Sequence, residues 1–364
     1  MDGASSITQC PIPPGSSYTY TWQATQYGTG WWHSHFYLQA WDGVAGGIII
    51  NGPAAADYDE DLGTLLLNDW DHQTADQKYI EAHHYKTTTM LTGLMNGTNV
   101  FDGTGSYFET AFESGKKYRL RLISGAADAH FKFTIDNHQF EVIATDFVPI
   151  QPYTTDIVRI SEGQRYDIVI TANATSNATS EAFWMRAIIQ GACSQNSNPN
   201  VLGIVRYGEA STDLPTSTAW ADASVDDCRD EDMSLLAPYL PIAASNSPDV
   251  TQDYDMTVND TDLVYWTMGT STFVSQWDYP TLLQIADGND TWTDSQNMVQ
   301  MSTANEWVYW VLQATTSQPH PMHLHGQYVI RKHNLFLQSS MFSVARPWCL
   351  KRMKTVVSGP CLRT

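Results

Sequence analysis

Short apolar or β-branched runs alternate with turn residues along most of the chain, and this pattern predicts strands. Gly, Asn, Asp and Pro separate the runs about every 8–12 positions, a spacing typical of β-sandwiches or barrels. One apolar run follows the segment GQRYD (163–167) and has the composition of a buried strand. Helical periodicity is weak throughout, so we expect an all-β protein. The predicted strands are 18–22, 47–51, 64–68, 118–123, 131–135, 140–144 and 166–171.

Composition restricts the possible partners. The 364 residues contain 39 acidic and 19 basic side chains, a formal net charge of −20, which argues against binding to nucleic acid or to anionic membranes. The longest apolar runs are far shorter than the ~20 residues that a membrane-spanning helix needs, so we expect no membrane partner. A chain of this length predicts two or three domains, each large enough to bury a core.

Two histidine clusters carry the strongest chemical signal. They are WWHSHF (31–36), which holds His33 and His35, and PHPMHLHG (319–326), which holds His320, His323 and His325. Imidazole is a common ligand for copper, zinc, iron and nickel. Residues two apart in a strand share a face, so the members of each His-x-His pair should point together. His320 lies between two prolines and should sit on a bend that faces elsewhere. A lone His-x-His arises readily by chance, but two such clusters in one chain favour a metal site.

Both clusters resemble the copper-ligand motifs of multicopper oxidases. Other segments narrow the resemblance to laccases of the type found in filamentous ascomycete fungi, and it extends from about residue 2 to Gly326. The resemblance implies tandem Greek-key β-sandwiches of the cupredoxin kind. The segments that carry it are TQCPIPPG (8–15), TQYGT (25–29), GIIINGP (47–53), LNDW (67–70), GQRYD (163–167), WMRA (184–187) and ANEWVYW (304–310).

The resemblance also implies a ligand set. The family holds four coppers, one type 1, one type 2 and two type 3, with ten histidines and one cysteine from four motifs. By position, His33 and His35 match type 3 ligands, His320 a type 1 ligand, His323 the type 2 ligand and His325 a type 3 ligand. The first motif, His-x-His-Gly, should lie just upstream of Met1. The fourth, His-Cys-His, should lie beyond the tail and supply the thiolate of the type 1 site.

Domain boundaries follow from turn chemistry and composition. We expect residues 1–53 to be the later part of a first cupredoxin domain and 54–210 to be a second. Residues 211–249, rich in Ser, Pro, Ala and Asp, should form an interdomain linker, and 250–326 the first part of a third domain. The first and third domains are thus expected to be incomplete.

The segment 327–364 departs from the family pattern. From residue 331 onwards it has seven Lys or Arg and no acidic residue, whereas all 39 acids precede it. We interpret this tail as translated intron sequence, which sequencing of the transcript would test. At the other end, Asp2 resembles a carboxylate near the type 2 copper that could help to deliver protons.

Cysteine and glycosylation signals favour secretion. Cys193 and Cys228 flank the end of the second domain and are the predicted disulfide, whereas Cys10 resembles a position whose partner lies in a region that this sequence lacks. Cys349 and Cys361 lie in the tail and receive no role. Five N-glycosylation sequons on an acidic chain favour an extracellular glycoprotein, with a signal peptide expected upstream. The sequons begin at Asn96, Asn173, Asn177, Asn259 and Asn289.

Three functions therefore follow as hypotheses. The first is laccase-type one-electron oxidation of small phenols, coupled to four-electron reduction of dioxygen to water by a monomeric enzyme. The second is another multicopper oxidase, acting on metal ions as a ferroxidase or on ascorbate. The third is a non-catalytic, copper-binding cupredoxin fragment. Because no cysteine in this sequence has flanking histidines, we expect the chain as printed to lack turnover.

Overall fold

The computed structural model describes residues 3–85, 88–174, 182–208, 212–243, 250–259, 263–299, 308–314, 320–325 and 340–341. Strands dominate these segments, so the all-β prediction is confirmed. The strands are β1 (Gly28–His33), β2 (Ala45–Ile50), β3 (Glu60–Trp70), β4 (Thr92–Met95), β5 (Val100–Phe101), β6 (Thr104–Gly105), β7 (Phe108–Phe112), β8 (Lys117–Ser124), β9 (Phe131–Ile135), β10 (Phe140–Thr145), β11 (Val148–Thr155), β12 (Val158–Ile160), β13 (Arg165–Thr171), β14 (Ala182–Ile189), β15 (Asn200–Tyr207), β16 (Val250–Asn259), β17 (Tyr265–Met268), β18 (Val308–Ala314), β19 (His320–Pro321) and β20 (Ser340–Met341). The helices are α1 (Ala75–Tyr85) and α2 (Thr281–Ala286), with short 3₁₀ turns at Ala221–Ser224 and Asp294–Gln296.

One predicted strand is wrong, and two helices, α1 and α2, were missed. The segment 18–22 forms no strand within the described residues, and Tyr18 and Trp22 are 45% and 56% exposed. Its alternating aromatics have no neighbouring strand in this region to cover them. Helix α1 buries none of its residues, so it has no apolar stripe that a periodicity search could detect.

The middle of the chain forms a β-sandwich. One sheet has the strand order β11-β10-β13-β8-β3-β4 and the other has the order β12-β9-β14-β15-β7. Their facing sides share one apolar core, in which Leu65, Leu122 and Ile168 of the first sheet meet Phe133 and Met185 of the second, all fully buried. The central strands β8 and β13 are buried along almost their whole length, although β8 alternates apolar residues with Arg119 and Arg121.

Residues 212–243, predicted as a linker from composition, lie along this sandwich. The buried Lys132 donates to the Val225 carbonyl at 2.5 Å and pairs with Asp227 at 3.0 Å. The predicted disulfide between Cys193 and Cys228 is confirmed, with Cα atoms 5.9 Å apart. The segment is therefore fixed to the sandwich by charge pairing and by a covalent bond.

Cys10 requires a correction. It too is disulfide-bonded, although we expected its partner to be lacking. Cys349, Cys361 and most of the tail lie outside the described residues, so the intron hypothesis and the proposed domain limits stay predictions.

A buried polar network joins the first segment to the middle sandwich. The Thr29 hydroxyl of β1 donates to Asp167 Oδ1 at 2.5 Å and accepts from Arg121 at 2.9 Å. Asp167 Oδ2 pairs with Arg119 at 2.5 Å and with Arg121 at 3.4 Å, and Arg121 also pairs with Asp61 at 2.6 Å. Arg119, Arg121 and Asp167 are each at most 4% exposed, so each charge depends on these partners.

Two glycines permit this close approach. A Cβ at Gly30 of β1 would lie 2.6 Å from the Phe147 ring, and one at Gly47 of β2 would lie 2.4 Å from the Thr64 hydroxyl. Both distances are too short for any other residue without displacement of its neighbour. The β1-β2 hairpin can therefore lie against the sandwich only because these positions have no side chain.

A third sheet, in the order β17-β16-β18, follows residues 212–243 in the chain. Helix α2 begins at Thr281, and the Leu282 amide of the same helix donates to the Ile7 carbonyl at 2.8 Å. The Val264 amide donates to the His83 carbonyl of α1 at 3.1 Å. The third segment thus contacts both earlier parts of the chain.

We predict that the Asp167 network dominates the stability of this interface. Asp167→Asn should destabilise the chain by about 3–5 kcal/mol, since it leaves Arg119 and Arg121 buried without their shared carboxylate. Thr29→Val removes only a hydroxyl and should cost about 1–2 kcal/mol. Urea unfolding followed by tryptophan fluorescence would measure both, and equal effects of the two variants would contradict the prediction.

Candidate metal centre

The first histidine cluster begins at the end of β1. His33 is the last residue of the strand, and its ring packs against Trp31 with centroids 4.4 Å apart. His33 Nδ1 lies 2.9 Å from the Ser34 carbonyl oxygen. A carbonyl can only accept a hydrogen bond, so Nδ1 carries the hydrogen and Nε2 keeps its lone pair. This is the tautomer that can bind a metal through Nε2.

Four histidine rings from the two clusters lie side by side. The centroid distances are 5.9 Å from His33 to His35, 5.1 Å from His35 to His325 and 4.7 Å from His325 to His323. We call these four residues the histidine row. Segments at opposite ends of the described chain therefore meet here, which is the convergence that the paired motifs predicted.

The local geometry differs from the prediction. His35, His323 and His325 lie in non-strand segments, so strand alternation does not explain why the rings converge. His320 belongs to the two-residue strand β19, which pairs with β20, rather than to the expected bend. Loop conformation, which the spacing of residues did not encode, brings the pairs together.

His320 stands with a different neighbour. Its ring meets the Trp266 ring edge-on, with centroids 4.4 Å apart, and Trp266 is 46% exposed. Partial burial lowers the pKa of His320. The structure therefore pairs His320 with an aromatic side chain that solvent can reach.

The electrostatics of the row favour neutral imidazoles at His33 and His323. Desolvation lowers the pKa of His33, with a smaller contribution from His35. Desolvation, followed by the neighbouring His325 and the cation Arg165, lowers the pKa of His323 to about 4. His323 also keeps a solvent-exposed side. Because the pKa values of His33 and His323 are both lowered, both imidazoles are neutral at neutral pH.

Neutral nitrogen donors suit copper or zinc, so the chemistry of the row fits a metal. Within the described residues, no three His, Cys, Asp or Glu side chains are arranged to hold one ion. The rings instead form a row, and further ligands would be needed to complete a coordination shell. The neutral nitrogen donors nevertheless fit copper.

Arg165 is a neighbour that sequence reasoning did not single out. It begins β13, pairs with Asp146 at 2.9 Å and donates through Nε to the Thr29 carbonyl at 3.3 Å. Its place in the segment GQRYD, ahead of a buried strand, was the available signal. Trp266 and the contacts of Ser34 gave no comparable signal.

The remaining predicted site residues are distributed as follows. Asp2 lies outside the described residues, so its role stays a prediction. His138 is a satisfied core residue, bonded to the Asp136 carbonyl at 2.8 Å and the Tyr207 hydroxyl at 2.6 Å. His130 is 4% exposed, and burial lowers its pKa to about 4. Both are buried core histidines that lie outside the histidine row.

Among the sequons, Asn96 is tied to the fold. Its Oδ1 accepts the Leu66 amide at 2.7 Å, and its Nδ2, the atom that would carry a glycan, donates to the Thr64 carbonyl at 3.3 Å. Asn173 is exposed and has no such side-chain bond. Asn259 is exposed, Asn289 bonds to Gln284 at 3.2 Å, and Asn177 lies outside the described residues.

Known proteins resemble this chain along nearly its whole length. Three multicopper oxidase domain families match residues 1–55, 61–210 and 251–347. The curated protein Laccase-3 of Botryotinia fuckeliana is 37% identical over 92% of this chain and 76% of its own length. The chain belongs to the multicopper oxidase family.

Other members of the multicopper oxidase family extend the comparison. Laccase-1 of Botryotinia fuckeliana is 44% identical over 89% of this chain, which spans 57% of that protein. The crystal structure of the Botrytis aclada laccase superposes with a TM-score of 0.85 at 39% identity, covering 92% of this chain and 64% of that one. The cupredoxin architecture is thereby confirmed.

Two further findings concern the third domain and the helices. The third family match continues to residue 347, beyond the predicted domain end at Gly326. Within the described residues, no helix is long and apolar enough to cross a membrane.

His130 generates a pH prediction. Its pKa of about 4 in the folded chain lies below the ~6.5 of an unfolded histidine, so the unfolded state gains the proton first as pH falls. Stability should decrease from about pH 6.5 to about pH 4, by up to about 3 kcal/mol. His130→Gln should lose less over this window in urea titrations at each pH. Parallel pH curves for the two proteins would refute the prediction.

Asn96 generates a second prediction. Asn96→Ala should destabilise the chain by about 2 kcal/mol, because two strand-bridging hydrogen bonds and a left-handed backbone position, φ 47°, lose their asparagine. Asn173→Ala should be nearly neutral. Thermal unfolding of unglycosylated protein would compare them, and a neutral Asn96→Ala would contradict the structural role.

Proposed function

We propose that this chain belongs to a laccase-type oxidase, in which small phenols lose single electrons and dioxygen is reduced to water, although the chain as printed, with no cysteine flanked by histidines, is expected to lack turnover by itself. The observation that carries the proposal is the histidine row, since a site built from two distant motifs matches a cluster that needs ligands from separate domains. Laccase relatives at 35–44% identity support the same function. Copper, when bound, would supply the redox chemistry.

The roles of the residues follow from their places. We assign His33, His35 and His325 to type 3 copper, His323 to type 2 and His320 to type 1, within a complement of four coppers. The Ser34 carbonyl orients His33, and desolvation lowers the pKa of His33, His320 and His323, which favours their unprotonated forms. Asp2 would assist proton delivery. The same proposal makes the protein a secreted, glycosylated monomer.

Trp266 gives a place for the substrate. Its half-exposed ring stands edge-on to His320, so a phenol stacked on the free face of Trp266 would lie beside a type 1 ligand. Aromatic stacking of this kind binds flat rings without fixing their substituents. The proposed substrate class is therefore broad.

A second candidate is copper binding without turnover. The described cysteines, Cys10, Cys193 and Cys228, are all disulfide-bonded and cannot provide the type 1 thiolate. Cys349 and Cys361 lie outside the described residues and have no flanking histidines. A ferroxidase or an ascorbate oxidase has less support: the iron-import oxidase Fet3p superposes with a TM-score of 0.72 at only 24% identity, which shows the fold alone.

We predict that the chain binds copper through the histidine row. His35→Ala and His325→Ala should each weaken copper binding at least tenfold, since each removes a direct ligand. His84→Ala, an exposed histidine of α1, is the matched control and should bind as the parent does. Calorimetric titration with copper would measure all four proteins.

Turnover provides the test between candidates. The 364-residue chain should bind copper without intense blue colour or phenol oxidation. A chain that also carries His-x-His-Gly and His-Cys-His segments should turn blue and consume oxygen with phenols. A copper-loaded chain of that kind that stayed colourless and inactive would refute the laccase proposal.

A further inference from the structure

The His33–His35 segment raises a question of rigidity. Strand β1 ends at His33, so the ladder to β2 does not hold His35. Both side chains nevertheless form one end of the histidine row. Some other contact must fix the turn between them.

Ser34 supplies contacts on every side of this turn. Its amide donates to the Val44 carbonyl at 2.9 Å, and its carbonyl accepts from His33 Nδ1 at 2.9 Å. Its hydroxyl accepts the Phe36 amide at 3.2 Å and donates to Gln39 Oε1 at 2.7 Å. The orientation of the Ser34 carbonyl, and with it the His33 tautomer, depends on these bonds.

Gln39 closes the arrangement from the following loop. Its amide donates to the Phe36 carbonyl at 3.3 Å, and its carbonyl accepts the Val44 amide at 3.1 Å. Its side-chain oxygen receives the Ser34 hydroxyl, which leaves that hydroxyl free to accept from Phe36. Ser34, Gln39 and Val44 thus form a closed ring of hydrogen bonds beside the two histidines.

We propose that Gln39 is a positioning residue for the metal centre. Through the Ser34 hydroxyl it fixes the turn that holds His33 and His35 in register and keeps His33 in its Nδ1–H tautomer. The inference rests on the proposed copper function but assigns a residue that does not touch the metal. What Gln39 must provide is a hydrogen-bond acceptor, because the Ser34 hydroxyl is the donor in this contact.

This requirement separates two substitutions at one position. Gln39→Glu keeps an acceptor oxygen and should bind copper within a few-fold of the parent. Gln39→Leu has similar bulk but cannot accept, and should weaken copper binding about tenfold, the scale typical of lost outer-shell partners. Gln151→Leu, an exposed glutamine of β11, is the control and should be silent.

A second readout distinguishes positioning from general destabilisation. In copper-free protein labelled with ¹⁵N-histidine, His33 should show the Nδ1–H tautomer in the parent and in Gln39→Glu. In Gln39→Leu it should show a mixture. Should Gln39→Leu not fold, Ser34→Ala removes the same bond from the other end and should give the same pattern.

The outcomes are distinguishable. Unchanged copper affinity and an unchanged His33 tautomer in Gln39→Leu would overturn the inference and leave the copper proposal intact. A parent chain that does not bind copper would overturn the proposed function. The tautomer measurement would then still decide whether Gln39 positions His33.

Discussion

The Asp167 carboxylate is the constraint on which the first half of the architecture depends. One fully buried anion accepts two guanidinium groups and the Thr29 hydroxyl, so it joins the middle sandwich to β1 at a point of fixed geometry. His33 lies four residues farther along the same strand, about 13 Å away at ~3.3 Å per residue. A strand is stiff over that length. The site of the first histidine cluster is therefore set from within the sandwich.

The same end of β13 also affects the protonation of one member of the histidine row, His323. Arg165, two residues before Asp167, donates to the Thr29 backbone and is one of the charges that lower the pKa of His323. A cation fixed near His323 disfavours protonation of that imidazole without competing for a metal. Residues 165–167 of β13 thus contact β1 through Asp167 and also lower the pKa of His323 through Arg165.

Sequence reasoning succeeded where a pattern has a local cause. Strands β8, β9 and β13 follow from runs that include β-branched and aromatic residues, and the two His-x-His pairs identify the members of the histidine row. It failed where tertiary partners decide. A lysine such as Lys132 is normally expected at the surface, but it is fully buried and is paired with Asp227 and the Val225 carbonyl. Both partners come from a segment whose composition predicted a linker, so the sequence did not indicate this burial. Helix α1 buries nothing, and the turn at Ser34 depends on Gln39, whose sequence context carries no signal.

A site assembled at a junction couples metal binding to domain contact. The row exists only when the first and third segments meet, so a metal that binds it must stabilise that contact by mass action. Desolvation lowers the pKa of His33 and of His323, so these two imidazoles carry no charge at neutral pH that would oppose the contact. Protonation would reverse this by placing like charges side by side. Metal binding would therefore strengthen the contact between the first and third segments, whereas the Asp167 network positions the first segment on the middle sandwich.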